Sequence, residues 1–311
     1  MIRPPFPTAI NNSLLSAFRA CPRKAELEFL QHWKPGTTSI HLHAGKAYAS
    51  GLEAGRRAFY EDGASSEASV GIAIETCLRE YGDIECPSHI AKTPARMAGA
   101  IEFYFANYPL DTDPCQPYEW APGKRAIEFS FATPMEIMHP ETGEPLIYAG
   151  RSDAIMTMAG GLFVEDDKTA SQLGASWINS FDMRAQFTGY CWSARQSGLK
   201  VDGVLVRGVS ILKTKYETAQ VITYRRPWEI DRWLEQTHRD IERLITCWRS
   251  GVYDYNLDAS CEAYGGCTFK RVCMSQTPED WLPGYFTQRR RDSLDLSETL
   301  ITPEEAASWV K

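Results

Sequence analysis

Several things are missing from this sequence. No apolar run approaches the roughly 18 residues of a membrane span, and the first ten residues, MIRPPFPTAI, lack the long apolar core of a secretory leader. These absences predict a soluble, cytoplasmic protein with no membrane partner. No internal repeat and no low-complexity tract is present, and 22 Gly and 18 Pro in 311 residues are too few for a disordered or collagen-like chain. A basic excess is missing too: 33 Lys and Arg stand against 40 Asp and Glu, a net charge of −7. That excludes a wholly basic nucleic-acid coat but leaves room for a local basic groove, because steering depends on the local field. A nucleotide-binding P-loop is absent, so any unwinding activity belongs to a separate protein. Cysteine is not scarce, but its nine residues are an odd number and unevenly spread. In a reducing compartment that pattern suggests metal ligands or buried thiols rather than a disulfide framework.

What remains is ordinary globular composition, 43% hydrophobic and 23% charged. Ser13 is placed to cap a helix carrying Leu14, Leu15 and Phe18, and Pro22 suits the first turn of a second one running through Leu27, Leu30 and Trp33. Helical patterns follow at 43–61, 67–81 and 91–108. The period then changes to two, with Ile127, Phe129 and Phe131 alternating with polar neighbours. Strands are expected at 145–157 and 161–168, joined by a hairpin turn at Ala159-Gly160-Gly161. A helix at 176–197, strands at 203–212 and 217–225 and a long helix at 227–250 complete the pattern; the last sixty residues read as irregular and Cys-rich. The order predicts an α/β fold with a mixed sheet, as one domain over 1–311: a mainly helical part (1–120), an α/β core (121–225), a long helix with a Cys-rich segment (226–285) and a tail (286–311).

The informative stretch is Gly150-Arg151-Ser152-Asp153 followed by Glu165-Asp166-Asp167-Lys168. Strand alternation puts Asp166 and Lys168 on one face, and the hairpin brings Asp153 to the same neighbourhood. Crowded carboxylates repel unless a cation joins them, and hard oxygen ligands suit Mg²⁺ or Mn²⁺. Such an ion can activate water and clamp a phosphate oxygen, with the lysine orienting that water. A surface hairpin of solvated ion pairs is the alternative that Asp-x-Lys alone leaves open.

The arrangement resembles the PD-(D/E)XK nuclease superfamily, in which Gly-x-x-Asp on one strand precedes Asp/Glu-x-Lys on the next. Its RecB-like branch adds Gln-x-x-x-Tyr on the following helix, matched here by Gln186 and Tyr190. The resemblance implies a restriction-endonuclease-like core, a mixed central sheet flanked by helices. It also implies metal-dependent DNA hydrolysis, exonucleolytic in recombination, repair or spacer processing. By resemblance Asp153 and Asp166 bind the metal, the Asp167 carbonyl completes its shell, Lys168 orients water, and Gln186 and Tyr190 position the DNA strand. Glu128 fits a further family position on the preceding strand, and a solvent-facing strand residue is the equal alternative. Upstream, the branch carries Gly-x-x-x-His-x-x-x-Glu; here Gly45 and Glu53 are present but Ala49 stands where the histidine belongs. Glu53 is the substitute ligand, and His43, before the helix, is read as a local hydrogen-bonding residue.

Cys21 in Ala-Cys-Pro-Arg-Lys, with Cys261, Cys267 and Cys273 at x5 spacing, stands apart from the other cysteines. This spacing is wider than that of structural zinc pairs. One early cysteine plus a late trio resembles the iron–sulfur staple of AddB-type and CRISPR-associated RecB-like exonucleases, including the context Tyr264-Gly-Gly-Cys. That implies a [4Fe–4S] cluster tying the N-terminal helices to the C-terminal segment, with zinc as the rival occupant. Cys77, Cys86, Cys115, Cys191 and Cys247 match no motif. Arg23, Lys24 and Arg289 to Arg291 are phosphate contacts or solvated charge. The expected partner is DNA, as single strands or duplex ends, with a separate helicase or recombination protein. The missing histidine keeps an alternative alive: a catalytically weak or inactive iron–sulfur module for DNA binding or assembly.

Overall fold

The computed structural model describes residues 3–36, 39–263, 266–291 and 298–300. They form a mixed α/β fold whose chain divides into two units, one of residues 38–130 and 151–230, the other of residues 1–37, 131–150 and 231–311.

In the first unit the helical patterns become α1 (Ile40–Tyr60), α2 (Ser66–Tyr81) and α3 (Pro94–Asn107). Ser65 and Thr93 cap α2 and α3 through side-chain oxygens that accept from Ala68 and Arg96 N–H. α1 and α2 approach closely because Gly51 has no side chain: a Cβ there would lie 2.7 Å from the Ala73 carbonyl oxygen and 2.9 Å from Cys77 Cβ. Leu52, Tyr48, Ile101 and Tyr104 fill the core between the helices and the sheet.

The strands are β1 (Ile127–Met138), β2 (Pro145–Met158) and β3 (Gly161–Ala170), then β4 (Val201–Ile211) and β5 (Tyr216–Tyr224) beyond the helix α4 (Ala185–Gln196). β1 runs past Phe131 because its alternation continues through Met135. The β2–β3 hairpin closes on Ala159 (φ 48°) and Gly160 (φ 81°), two consecutive left-handed residues that match the twist of the flanking strands. β3 and β4 are parallel, and α4 supplies the crossover that parallel strands require. β2–β3 and β4–β5 are antiparallel, so the sheet is mixed. Helices flank it: Arg56 of α1 meets Glu165 and Asp167 of β3, while Tyr190 of α4 stands near Asp166, whose side chain alternates to the opposite face.

The expected helix at 176–197 is two pieces, Ala175–Asn179 and α4. Between them Phe181 turns inward and its carbonyl accepts from Arg225 Nη2 at 2.7 Å, a bond a continuous helix would forfeit.

The second unit contains the helix Asn12–Ala20 and most of α5 (Pro227–Ser250). Asn11, rather than Ser13, caps the first of these. Arg19 Nε meets the buried Asp240 at 2.6 Å, and Trp248 Nε1 donates to the Pro4 carbonyl at 2.8 Å. Ala9–Ile10 adds a short parallel strand beside Ile147 and Tyr148 of β2. The second expected helix is one α-turn, Pro22–Ala25, and a π-helical turn, Glu26–Leu30, with Trp33 in an extended segment. That segment pairs antiparallel with Phe286–Gln288, the start of a strand that continues to Arg291 and carries the Arg289 to Arg291 run. No helix among the described residues is long and apolar enough to cross a membrane.

Candidate active site

β2 and β3 hold the acidic residues side by side. Ala154 pairs with Glu165, which places Asp153 and Asp166 next along the hairpin. The Asp167 N–H donates to Asp153 Oδ2 at 2.5 Å, and Lys168 Nζ pairs with Asp166 Oδ2. Asp166 is buried, 3% exposed. Burial, then the charges of Asp166 and Asp167, hold the Asp153 carboxyl well above the usual range, with Lys168 opposing. Burial also raises Asp166, with Lys168 pulling it back. For Lys168, burial would lower the pKa, but Asp166 and Asp153 outweigh it and the ammonium is favoured. The hairpin is therefore not a solvated surface turn: it concentrates negative charge around one amine.

Glu128 on β1 joins the cluster. Its carboxylate meets Arg151 Nε at 2.6 Å. Burial pushes its carboxyl up to about 7; Arg151 opposes this and Glu53 adds to it. Glu128 in turn raises Asp153, so charge is coupled from Glu53 through Glu128 to the aspartates. Its backbone is left-handed, φ 52°, which is strained for a glutamate and typical of residues held for function. Glu53 lies half-buried on α1 and accepts from Arg57 Nε at 3.0 Å. His43, expected before the helix with a local contact, lies inside α1 instead, because the helix begins at Ile40, and its Nε2 meets the Tyr81 carbonyl of α2 at 2.8 Å, a contact between helices. From α4, Gln186 Nε2 donates to Tyr190 Oη at 2.8 Å. Burial raises the Tyr190 phenol, with the Gln186 bond opposing and Asp166, Asp153 and Glu128 adding, so the tyrosine stands against the acids.

A second layer of charge escaped the sequence reading. Arg56 is buried and spans Glu165 Oε2 at 2.9 Å and Asp167 Oδ2 at 2.8 Å. Its Nη2 also donates to Tyr104 Oη at 2.6 Å. Arg207 of β4 meets Asp113 at 2.6 Å and Glu165 at 3.6 Å. Alternation explains the division: Glu165 and Asp167 face this cationic layer, while Asp166 and Lys168 face the site. The Asp167 carboxylate is thus committed to Arg56, which leaves its backbone carbonyl as the donor the resemblance assigns. A signal for Arg56 existed, since it falls on the buried stripe of α1 with Tyr48 and Leu52.

The four singled-out cysteines lie in the second unit. Cys21 ends the helix Asn12–Ala20, and Cys267 N–H donates to the Cys261 carbonyl at 2.8 Å. Gly266, φ 108°, supplies the turn before Cys267. All four line one cavity of about 150 Å³, with Phe269, Leu257 and Tyr255. Burial raises the Cys273 thiol to about 11; Arg23 opposes, and Cys267, Cys21 and Cys261 add. Among the described residues no three Cys, His, Asp or Glu side chains converge at the distance a single metal ion needs. Tyr264 and Gly265 lie outside the described residues. Cys77, Cys115 and Cys191 are buried core thiols.

A mixed sheet flanked by helices, with this acidic hairpin and its lysine on one face, is consistent with a restriction-endonuclease-like core. The chain belongs to the PD-(D/E)XK nuclease superfamily, whose family model matches residues 9–274. The crystal structure of a candidate exonuclease from Eubacterium rectale is similar in fold, with a TM-score of 0.50 and 12% identity over 85% of this chain and 87% of that one. The crystal structure of SSO0001 matches at a TM-score of 0.31 and 15% identity, over 73% of this chain and 84% of that one, too weakly to bear on the fold. No curated protein matches the chain.

Proposed function

We propose that the chain is a Mg²⁺- or Mn²⁺-dependent deoxyribonuclease that acts as an exonuclease on single strands or duplex ends, in recombination, repair or spacer processing. The observation that carries the reading is the gathering of Asp153, Asp166 and Lys168 on adjacent strands, with the carboxyls pushed up by burial and mutual charge. Such a donor set fits a hard divalent cation, because a cation relieves the repulsion that burial amplifies. Asp153, Asp166 and the Asp167 carbonyl would hold it, with Glu53 as the further ligand that the resemblance implies. When bound, the ion supplies Lewis acidity to a phosphate oxygen and lowers the pKa of water.

The chain's own groups do the rest. Lys168 orients the attacking water and offsets charge developing on the phosphate. Tyr190, aimed by Gln186, positions the strand against the acids. Arg56 and Arg207 lock β3 from behind, so that Asp166 and Lys168 keep their relative placement as charge changes in front of them.

The cysteine cavity supports a structural [4Fe–4S] cluster. All four cysteines line one cavity of about 150 Å³, so four thiolates share one space, the donor set that such a cluster takes, and a structural zinc ion is the rival for the same thiolates. The reading expects a helicase or recombination protein as its working partner. Ala49 in place of the branch histidine favours a second reading, a weakly active or inactive iron–sulfur module. Incubation with end-labelled single-stranded and duplex DNA and Mn²⁺ separates them: mononucleotide release from ends supports the exonuclease, internal fragments redirect it to an endonuclease, and no cleavage leaves the second reading. Iron and sulfide analysis with absorbance near 400 nm tests the cluster, and colourless protein with stoichiometric zinc refutes it.

A further inference from the structure

The segment Ser171 to Arg184 leaves β3 just after Lys168 and enters α4 just before Gln186, so both ends adjoin the candidate site. Its interior is anchored. Trp177 packs edge-on against the buried Phe181, ring centroids 4.7 Å apart. The same indole covers Gly208, where an added Cβ would come within 2.5 Å of it. Yet this anchored segment turns apolar side chains to solvent: Met183 is 80% exposed and Ile178 40%. A single exposed methionine is ordinary on a protein surface. What distinguishes this one is its neighbour.

Arg184 is exposed and its guanidinium lies 5.6 Å from the Phe181 ring, with no ion pair among the described residues. The other cations at this site are committed: Arg57 to Glu53 and Glu61, Arg151 to Glu128, Lys168 to Asp166. Arg184 is nevertheless near enough to act electrostatically on Asp166 and Lys168. An exposed guanidinium that has no ion-pair partner among the described residues and acts electrostatically on the acidic site is matched by an anion that the site must admit, and a nucleic-acid strand brings a phosphate with every nucleotide. An exposed thioether beside it is matched by an apolar surface. A base offers its face only when unpaired and unstacked.

Resting on the nuclease reading, we propose that Met183 and Arg184 grip a single-stranded segment: Arg184 pairs with a phosphate adjoining the scissile one, and Met183 packs on the face of the neighbouring base. The grip selects single strands and frayed ends over intact duplex. Arginine suits the phosphate because its fork can bond two oxygens at once.

The test measures binding of a fluorescein-labelled thymidine oligonucleotide and of a labelled blunt duplex to the full chain in EDTA, by anisotropy across a salt series. Arg184→Ala is expected to weaken single-strand binding about tenfold and to flatten the salt slope by about 0.7. Arg184→Lys keeps the slope. Met183→Ala leaves the slope unchanged and narrows the preference for single strands over duplex. Arg184→Ala that matches wild type in affinity and slope overturns the proposal, as does Met183→Ala that weakens both DNAs equally. Both residues are exposed, so melting curves matching wild type verify the fold. Mn²⁺ cleavage by the wild-type chain judges the nuclease reading apart from the grip: binding that depends on Arg184 without cleavage sinks only the former, and cleavage with Arg184-independent binding sinks only the latter.

Discussion

Replacing Arg56 with methionine removes the cation that holds β3 from behind. The guanidinium touches Glu165 at 2.9 Å and Asp167 at 2.8 Å, in a region from which water is excluded. Without it Asp167 keeps no cationic partner among the described residues, and Glu165 keeps Arg207 at 3.6 Å. Breaking a buried pair by deleting one partner costs about 3–5 kcal/mol, because a charge is left uncompensated. For a chain of this size that corresponds to a fall in Tm on the order of 10 °C. Urea unfolding followed by tryptophan fluorescence reads the loss. Adding Asp167→Asn to the Arg56→Met chain removes the stranded charge and is expected to restore part of the stability, a coupling of about 0.5–3 kcal/mol. A loss below about 1 kcal/mol, the range of an exposed ion pair, with no recovery in the double variant, refutes the buried lock.

Other outcomes follow from the same geometry. Glu128 titrates at about 7 in the fold, above its unfolded value of about 4.5. Between those values the folded chain holds a proton that the unfolded chain has lost, so metal-free stability is full below about pH 4.5 and falls as pH rises through 7. Glu128→Gln is expected to flatten that decline in Tm between pH 5 and 8, and an unchanged slope contradicts the assignment. Gly51→Ala drives a methyl toward the Ala73 carbonyl oxygen and should cost about 1–3 kcal/mol by overpacking α1 against α2; a neutral effect in thermal melts would show that the helices are not in contact there. Cys267→Ser should remove absorbance near 400 nm and lower Tm together, and loss of neither means that no cluster depends on this thiol.

The regular elements were legible because their periods are clean. The bounds of α5 are those of its pattern, and α1 to α3 differ by a few residues at their ends. The hairpin of β2 and β3 was legible from alternation and from Gly160, and the grouping of Asp166 with Lys168 follows from the same alternation. What the pattern does not carry is contact at long range. Phe181 breaks a continuous helical run because Arg225 captures its carbonyl. The strand at Phe286–Arg291 exists because Trp33–Pro35 lies beside it. Arg56 reads as a surface residue until its place on the apolar stripe is weighed against two carboxylates over a hundred positions away. The left-handed Glu128 has no local signal at all, since glutamate is not a residue that favours that conformation. Local rules thus located the acids and the amine, while the groups that fix and tune them come from elsewhere in the chain.

The central claim is that Asp153, Asp166 and Lys168 act as one hydrolytic centre. Single-turnover cleavage of end-labelled DNA with Mn²⁺, comparing wild type with Lys168→Ala and Asp153→Asn chains of matched fold, tests it most directly. The expected result is Mn²⁺-dependent cleavage by wild type, slower by about 10²–10⁴-fold in Lys168→Ala and undetectable in Asp153→Asn. Equal rates in all three, or no cleavage by wild type at any Mn²⁺ concentration, would contradict it.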